Sequence, residues 1–362
     1  LLAILACSKG DGTFEGIAEK ISKKFAIIFT SVLFLSIGPL LAVPRTAATT
    51  FEVAVNPFFP AIPAWLVILA YFIINIVLVL KRSSIIDTIG KFLTPALIII
   101  LVVLIIKGIF MPIGTISQNN DTGVFAYSLL EGYQTMDALA ALLFAAIITS
   151  SIKNKGYKGK EMSKVLFIGS LVAVIGLAFV YGGITYIGAQ TSGLVSGDIN
   201  KTSLLVLIAK NVLGSAGPIL IGVAMALACL TTSIGLITAG ADYFETITKG
   251  KLSYKFNVLA ISIVSFTVAL LGVDNIVVFS APILNLLYPV SITIIVFALL
   301  HKHIKIKAGR LGVYTSLVFS ILLLIPGLNL NFLPLASIGF GWLLPTALAM
   351  IIGQLVFKNE NK

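Results

Sequence analysis

The chain has 362 residues, of which 58% are hydrophobic and only 11% are charged. Its mean hydropathy is +1.09, whereas a soluble globular domain carries about 25% charged residues, so this composition excludes a soluble globular protein. A formal net charge of +11 would indicate nucleic-acid binding in a soluble protein. Here the placement of the cations explains the charge, and no nucleic-acid partner is expected. The two cysteines provide no disulfide framework.

Ten long apolar runs follow one another along the chain. Each is about 18 to 30 residues long, enough at ~1.5 Å per residue to cross about 30 Å of hydrocarbon. Because the connections are short, we predict an all-α integral membrane protein with a single polytopic domain over residues 1–362. The predicted spans are 25–54, 62–80, 85–107, 126–151, 164–188, 216–246, 256–273, 278–300, 311–329 and 335–357.

The basic residues alternate between the gaps that separate these runs. Twenty-one of the 25 Lys and Arg residues fall in every second gap, whereas the intervening gaps hold only Lys107, Lys201 and Lys210. Cations near the ends of membrane spans stay on the cytoplasmic side. The pattern therefore predicts an even number of spans, with both termini of this chain in the cytoplasm.

The N-terminal segment is apolar but short. A helix over residues 1–7 reaches only about 10 Å, a third of the membrane, and we interpret it as the end of a span whose beginning is absent from this chain. Apolar residues then recur at helical spacing among Lys and Glu, which predicts an amphipathic helix on the cytoplasmic face. These residues are Phe14, Ile17, Ala18, Ile21 and Phe25.

The first span contains two prolines and a charge. Pro39 and Pro44 each remove a backbone donor and bend the helix. Arg45 lies towards the outer leaflet, and a charge at mid-membrane costs at least ~2.5–3.5 kcal/mol. Two readings stay open. In the structural one, Arg45 snorkels to the interface or is held by Glu52. In the functional one, Arg45 faces a water-filled cavity or an outer gate.

Span 126–151 carries polar residues in its first half. Glu131, Gln134, Thr135 and Asp137 do not suit a lipid-facing helix. Such a segment can break locally only where its freed backbone groups line a cavity or are buried in protein. The alternative is that Glu131 lies in the headgroup region and only Asp137 is immersed. The residues alone indicate a functional or gating role for Asp137.

Three consecutive hydroxyl residues, Thr231, Thr232 and Ser233, lie midway along span 216–246. Hydroxyls in helices often bond back to a carbonyl of the preceding turn. The alternative is a hard cation such as Na⁺, which needs several oxygens; adjacent hydroxyls and a carbonyl one turn earlier could supply them on one helix face. In span 278–300, Pro282 and Pro289 indicate a shaped helix rather than a hinge.

Signatures of an enzyme are not found in the sequence. There is no glycine-rich phosphate loop, and the two histidines, His301 and His303, flank Lys302 in a basic loop. A solvated loop is favoured there over a metal site. An enzyme is therefore not expected.

Three stretches together resemble the branched-chain amino acid:cation symporter family. They are Ser36-Ile-Gly-Pro with Pro44-Arg-Thr-Ala-Ala-Thr-Thr-Phe-Glu52, then Gly132-Tyr-Gln-Thr-Met-Asp-Ala-Leu-Ala-Ala141, then Ala228-Cys-Leu-Thr-Thr232. They occur in order across nearly the whole chain. The resemblance implies the leucine-transporter architecture, with two five-helix inverted repeats followed by two more helices. The ten spans would then be the third to twelfth, and the first two helices would be missing.

The resemblance also implies a function. The protein would import leucine, isoleucine and valine with Na⁺ or H⁺ by alternating access across a bacterial plasma membrane, without another metal or cofactor. Asp137 could carry the proton if burial raised its pKa. The resemblance further implies a substrate-binding or gating site formed by Glu131, Gly132, Tyr133, Gln134, Thr135, Asp137 and Arg45. A Na⁺ site would draw on Ala228, Cys229, Thr231, Thr232 and Ser233. Two alternatives remain: a truncated, transport-inactive member of the family, and a membrane-embedded enzyme. The sequence does not rank the substrates or indicate the oligomeric state.

Overall fold

The computed structural model describes residues 1–81, 85–117, 123–195, 199–328, 330 and 332–358, with the side chains of 85–93 outside that description. Some residues used in the sequence predictions lie outside this description. They are Asn329, which ends the predicted span 311–329, and the cations Arg82 and Lys362. All regular structure in the described ranges is helical, as predicted. The helices are α1 Leu2–Ser8, α2 Phe14–Ala18, α3 Lys23–Leu35, α4 Val43–Thr49, α5 Ala64–Lys81, α6 Ile85–Phe110, α7 Val124–Tyr133, α8 Asp137–Asn154, α9 Gly159–Ala189, α10 Lys201–Leu213, α11 Gly217–Ile247, α12 Tyr254–Ala269, α13 Val273–Leu299, α14 Ile306–Leu323 and α15 Leu343–Val356.

Among the described residues, seven helical stretches are long and apolar enough to cross a membrane. They are Lys23–Val55, Ala64–Lys81, Val124–Asn154, Gly159–Gly193, Lys201–Ile247, Val273–Leu299 and Ile306–Leu323. Three shorter apolar helices are Thr94–Phe110, Tyr254–Ala269 and Leu343–Val356. Each stretch overlaps one predicted span, which supports a multi-pass membrane protein. The count of ten crossings and the inverted repeat stay predictions.

Helix ends differ from the predicted spans where the backbone turns to positive φ. α12 ends at Ala269, ahead of Gly272 with φ +80°. The predicted span from residue 335 begins as a helix only at Leu343, because Leu335 and Gly339 have φ of 66° and 80° and a short 3-10 turn lies between them. Left-handed residues cannot continue a right-handed helix.

The long first stretch is not a uniform α-helix. Ser36–Ala42 and Thr50–Val55 are π-helical turns on either side of α4. Pro39 lies in the first of these turns and Pro44 directly after it, at the second residue of α4, inside one continuous helical stretch. The wider turns accommodate the prolines without breaking the helix.

The chain divides into two compact units, each described here by itself, and the single-domain prediction stays a prediction. The first unit comprises Leu1–Phe34, Asp121–Ala173 and Phe279–Lys362. In it, Lys305 Nζ donates to the carbonyls of Gln354 and Phe357 at the end of α15, at 2.6 and 2.8 Å. These bonds satisfy carbonyls that a helix end leaves without partners.

The predicted amphipathic segment belongs to this first unit, and its apolar face is buried in protein. Phe14, Ile17, Ala18 and Ile21 are each at most 3% exposed. The segment packs beside α8, where Thr149 Oγ1 lies 3.5 Å from the Gly12 carbonyl. The amphipathic pattern therefore indicates a contact with α8.

The second unit comprises Leu35–Asn120 and Val174–Val278, and α11 is at its centre. α11 packs against α4, α5, α6, α10, α12 and both π-helical turns. A Cβ added at Gly222 would lie 3.2 Å from the backbone of Val53 and Ala54. Small residues permit such close approach between membrane helices, so α11 can contact many partners.

Candidate functional site

The structure contains a helix break at the polar motif of the first unit. α7 ends at Tyr133 and α8 begins at Asp137. Met136, between them, has φ 58°, a left-handed conformation that costs a non-glycine residue about 1–2 kcal/mol. The amides of Gln134 and Met136 close tight turns onto the carbonyls of Glu131 and Tyr133, at 2.9 and 3.0 Å. The predicted local break is therefore present.

The break leaves the first amides of α8 without helical acceptors. The last carbonyls of α7 accept hydrogen bonds from the turn, including the Gly132 carbonyl from the Thr135 amide and hydroxyl. Asp137 stands in the first turn of α8, where the helix dipole favours a negative charge. Gly132 and Thr135 are exposed, whereas Glu131 and Asp137 are partly buried. The predicted residues from 131 to 137 thus lie together at one discontinuity.

Helix α13 lies against this break. Ser280 Oγ donates to Gln134 Oε1 at 2.7 Å. The rings of Tyr133 and Tyr288 stack with centroids 4.0 Å apart and planes 4° from parallel, and Phe340 meets Tyr133 edge-on at 6.2 Å. Residues 280 and 288 are absent from the site predicted from sequence, and the proline-containing segment that includes them is the only signal that could have indicated them.

In the second unit, the hydroxyl run of α11 divides between two faces. Thr231 and Thr232 line a pocket of about 190 Å³ with Ala228, Thr94 and Leu97, the last two from α6. Thr231 Oγ1 donates to the Ala228 carbonyl at 2.9 Å, the back-bonding that hydroxyls in helices often make.

Ser233 is fully buried. It lies on a different face of α11 from Thr231, because each residue of an α-helix is rotated by about 100° from the residue before it. Cys229 is also buried, beside Thr50. The three hydroxyls therefore do not share one face. Of the predicted ion-binding residues, the structure brings only Ala228, Thr231 and Thr232 together at this pocket.

Ser233 instead joins a buried polar cluster with α4 and α5. The Tyr71 hydroxyl lies beside Thr46, Ser233 and Asn75, and Asn75 Nδ2 donates to the Tyr71 carbonyl at 2.9 Å. Tyr71 Oη, Asn75 Oδ1 and Ser233 Oγ have no hydrogen-bond partner among the described residues. Tyr71 and Asn75 were not predicted as site residues, although an asparagine inside span 62–80 was a visible signal.

Arg45 lies partly buried on α4, in the second unit. Glu52 makes two contacts elsewhere: its Oε2 accepts from Thr202 Oγ1 at 2.7 Å and its Oε1 accepts from the Val273 amide at 2.9 Å. The carboxylate therefore joins the first stretch to the starts of α10 and α13. The gating role of Arg45 stays a prediction.

The described residues form an all-helical fold with seven apolar stretches that are long enough to cross a membrane, which defines the class of multi-pass α-helical membrane proteins. A stretch interrupted at a polar motif is typical of transporters. A family model described as "Branched-chain amino acid transport protein" matches residues 1–360. The chain belongs to this family. The predicted family is confirmed, and its members are transporters rather than enzymes.

Bacterial relatives agree with this assignment. The branched-chain amino acid permease BraB of Bacillus subtilis (strain 168) is 35% identical over 378 residues, which cover 98% of this chain and 84% of the permease. A protein of Staphylococcus aureus (strain USA300), predicted to be a branched-chain amino acid carrier, is 34% identical over 383 residues, covering 98% of this chain and 86% of that protein. A third relative, from S. aureus (strain bovine RF122), is 35% identical over the same length.

Proposed function

We propose that the protein is a secondary active symporter that imports leucine, isoleucine and valine together with Na⁺ by alternating access. The observation that carries the proposal is the break between α7 and α8, with Asp137 at the start of α8. The names of the relatives support the substrate class. They do not favour the alternative of a transport-inactive protein.

The break suits a zwitterionic amino acid. The substrate carboxylate can accept from the first amides of α8, which have no helical acceptor. The substrate ammonium can bind the carboxylates of Glu131 and Asp137, and the carbonyls that end α7 each keep a second lone pair for it beside their turn hydrogen bonds. Tyr133 and Phe340 place aromatic surface beside the break for an aliphatic side chain. Charge complementarity of this kind selects an amino acid over a neutral solute.

The pocket on α11 is the proposed ion site. Thr231 and Thr232 contribute two hydroxyl oxygens, and Thr94 on α6 adds a third. Oxygen ligands are those that hard cations prefer, and neutral ones suit a monovalent ion that must also be released. Proton coupling would instead use a carboxylate such as Asp137. The dependence of transport on Na⁺ distinguishes these two couplings.

Counterflow tests the function directly. Purified protein in proteoliposomes loaded with unlabelled leucine should accumulate labelled leucine when Na⁺ is present on both sides, and less without it. External isoleucine and valine should compete, whereas lysine should not. Uptake no greater than in protein-free liposomes would contradict the transport proposal. Uptake that follows a pH gradient and ignores Na⁺ would assign the coupling to H⁺.

A further inference from the structure

Helix α13 contacts the break at two points. Ser280 bonds to Gln134, and Tyr288 stacks on Tyr133. Both partners lie in or directly next to the non-helical residues 134–136. A helix that holds the side chains on this segment also restricts the backbone between α7 and α8.

The two tyrosines have different surroundings. Tyr288 is 4% exposed, whereas Tyr133 is partly exposed at the end of α7. The Tyr133 hydroxyl is buried and has no hydrogen-bond partner among the described residues, so the ring stack with Tyr288 and the edge contact with Phe340 are the contacts that orient it. Tyr133 is therefore the more accessible ring of the stacked pair.

The backbone of α13 is weakened where it carries these contacts. Pro282 and Pro289 lie inside the helix, and neither has the amide that would bond to the carbonyl four residues earlier. Pro289 directly follows Tyr288. A helix that lacks these bonds can bend there, which would move the Tyr288 ring relative to Tyr133.

We propose that Tyr288 is a positioning residue of the substrate site, which holds the Tyr133 ring beside the break and thereby sets the affinity for the aliphatic side chain of the amino acid. The inference rests on the proposed function, because it assigns an additional residue to the same site. Ser280 has the corresponding role for Gln134. The stack contributes through ring contact, so a phenylalanine at position 288 should replace the tyrosine.

Leucine uptake in proteoliposomes tests the proposal through Tyr288→Leu and Tyr288→Phe. Tyr288→Leu should raise the KM for leucine about tenfold, near the upper limit of what an aromatic pair contributes, with Vmax within about twofold. Tyr288→Phe should stay close to wild type in both. Tyr314→Leu is the control for loss of an aromatic contact in general, because Tyr314 belongs to a different ring pair, with Phe25, and its KM should not change.

A double-mutant cycle separates positioning from a general structural effect. If Tyr288 acts through Tyr133, then Tyr133→Leu combined with Tyr288→Leu should have the KM of Tyr133→Leu alone. Additive effects would overturn the proposal, as would an unchanged KM in Tyr288→Leu or a KM in Tyr288→Phe as high as in the leucine variant. If Tyr288→Leu does not fold, Tyr288→Met is measured under the same criteria. Absence of uptake by the wild type would instead overturn the proposed function.

Discussion

The break between α7 and α8 and the hydroxyl run of α11 are both polar interruptions of apolar spans, yet the structure treats them differently. At the break, the residues from 131 to 137 stay together because the helix ends at Tyr133 and the backbone is left-handed at Met136. On α11 the helix is continuous, so Thr232 and Ser233 turn towards different surroundings. A run of three polar residues on a continuous helix divides between faces, as Thr231 and Ser233 do, whereas an interruption of the helix lets such a run stay together.

The largest effect should come from the break. Asp137→Ala should lower leucine uptake at subsaturating concentration by about 10- to 150-fold, because a hydrogen bond to a charged group contributes ~1.5–3 kcal/mol. Initial uptake rates in proteoliposomes measure this. Asp274→Ala is the matched control, since Asp274 is also acidic in a first turn but belongs to an uninterrupted helix. Near-normal uptake by the Asp137 variant would contradict the assignment of the substrate site to the break.

A smaller effect should separate the two faces of α11. Thr231→Ala combined with Thr232→Ala should raise the Na⁺ concentration for half-maximal leucine uptake about 30-fold, since each neutral oxygen ligand contributes ~1 kcal/mol and the two together ~2 kcal/mol. Ser233→Ala should change it less than twofold, because Ser233 lies beside Tyr71 away from the pocket. The reverse order of effects would place the ion at Ser233.

The smallest effect concerns the segment that packs beside α8. Burial, with Glu19 and Asp11 nearby, raises the pKa of the Glu15 carboxyl above its ordinary value. A raised pKa means that the folded protein favours the protonated Glu15 carboxyl. At pH values above the folded-state pKa, the ionised carboxylate therefore lowers the free energy of unfolding. Below the unfolded-state pKa of about 4.3 the carboxyl is protonated in both states, and the destabilisation is absent. Glu15→Gln should therefore raise the Tm in detergent at pH 7 and not at pH 4. The exposed control Glu161→Gln should have the wild-type Tm at both pH values.

Much of the candidate site was predictable because its signals are local. Carboxylates, an amide and a glycine inside an apolar run predict a break, and the break occurs at residues 134–136. The partners of the break were not predictable, because Ser280 is 146 residues from Gln134. The same holds for Glu52, whose partners Thr202 and Val273 are 150 and 221 residues away.

The sequence by itself determined the helical class, the apolar stretches and the position of the break, since hydropathy and backbone preference act over one or two turns. Only the tertiary structure decided that α13 faces the break, that Ser233 packs beside Tyr71, and that the amphipathic segment is buried beside α8. These contacts depend on how helices distant in sequence pack. A periodic pattern indicates that a helix has an apolar face, but the packing of the whole chain selects what covers it.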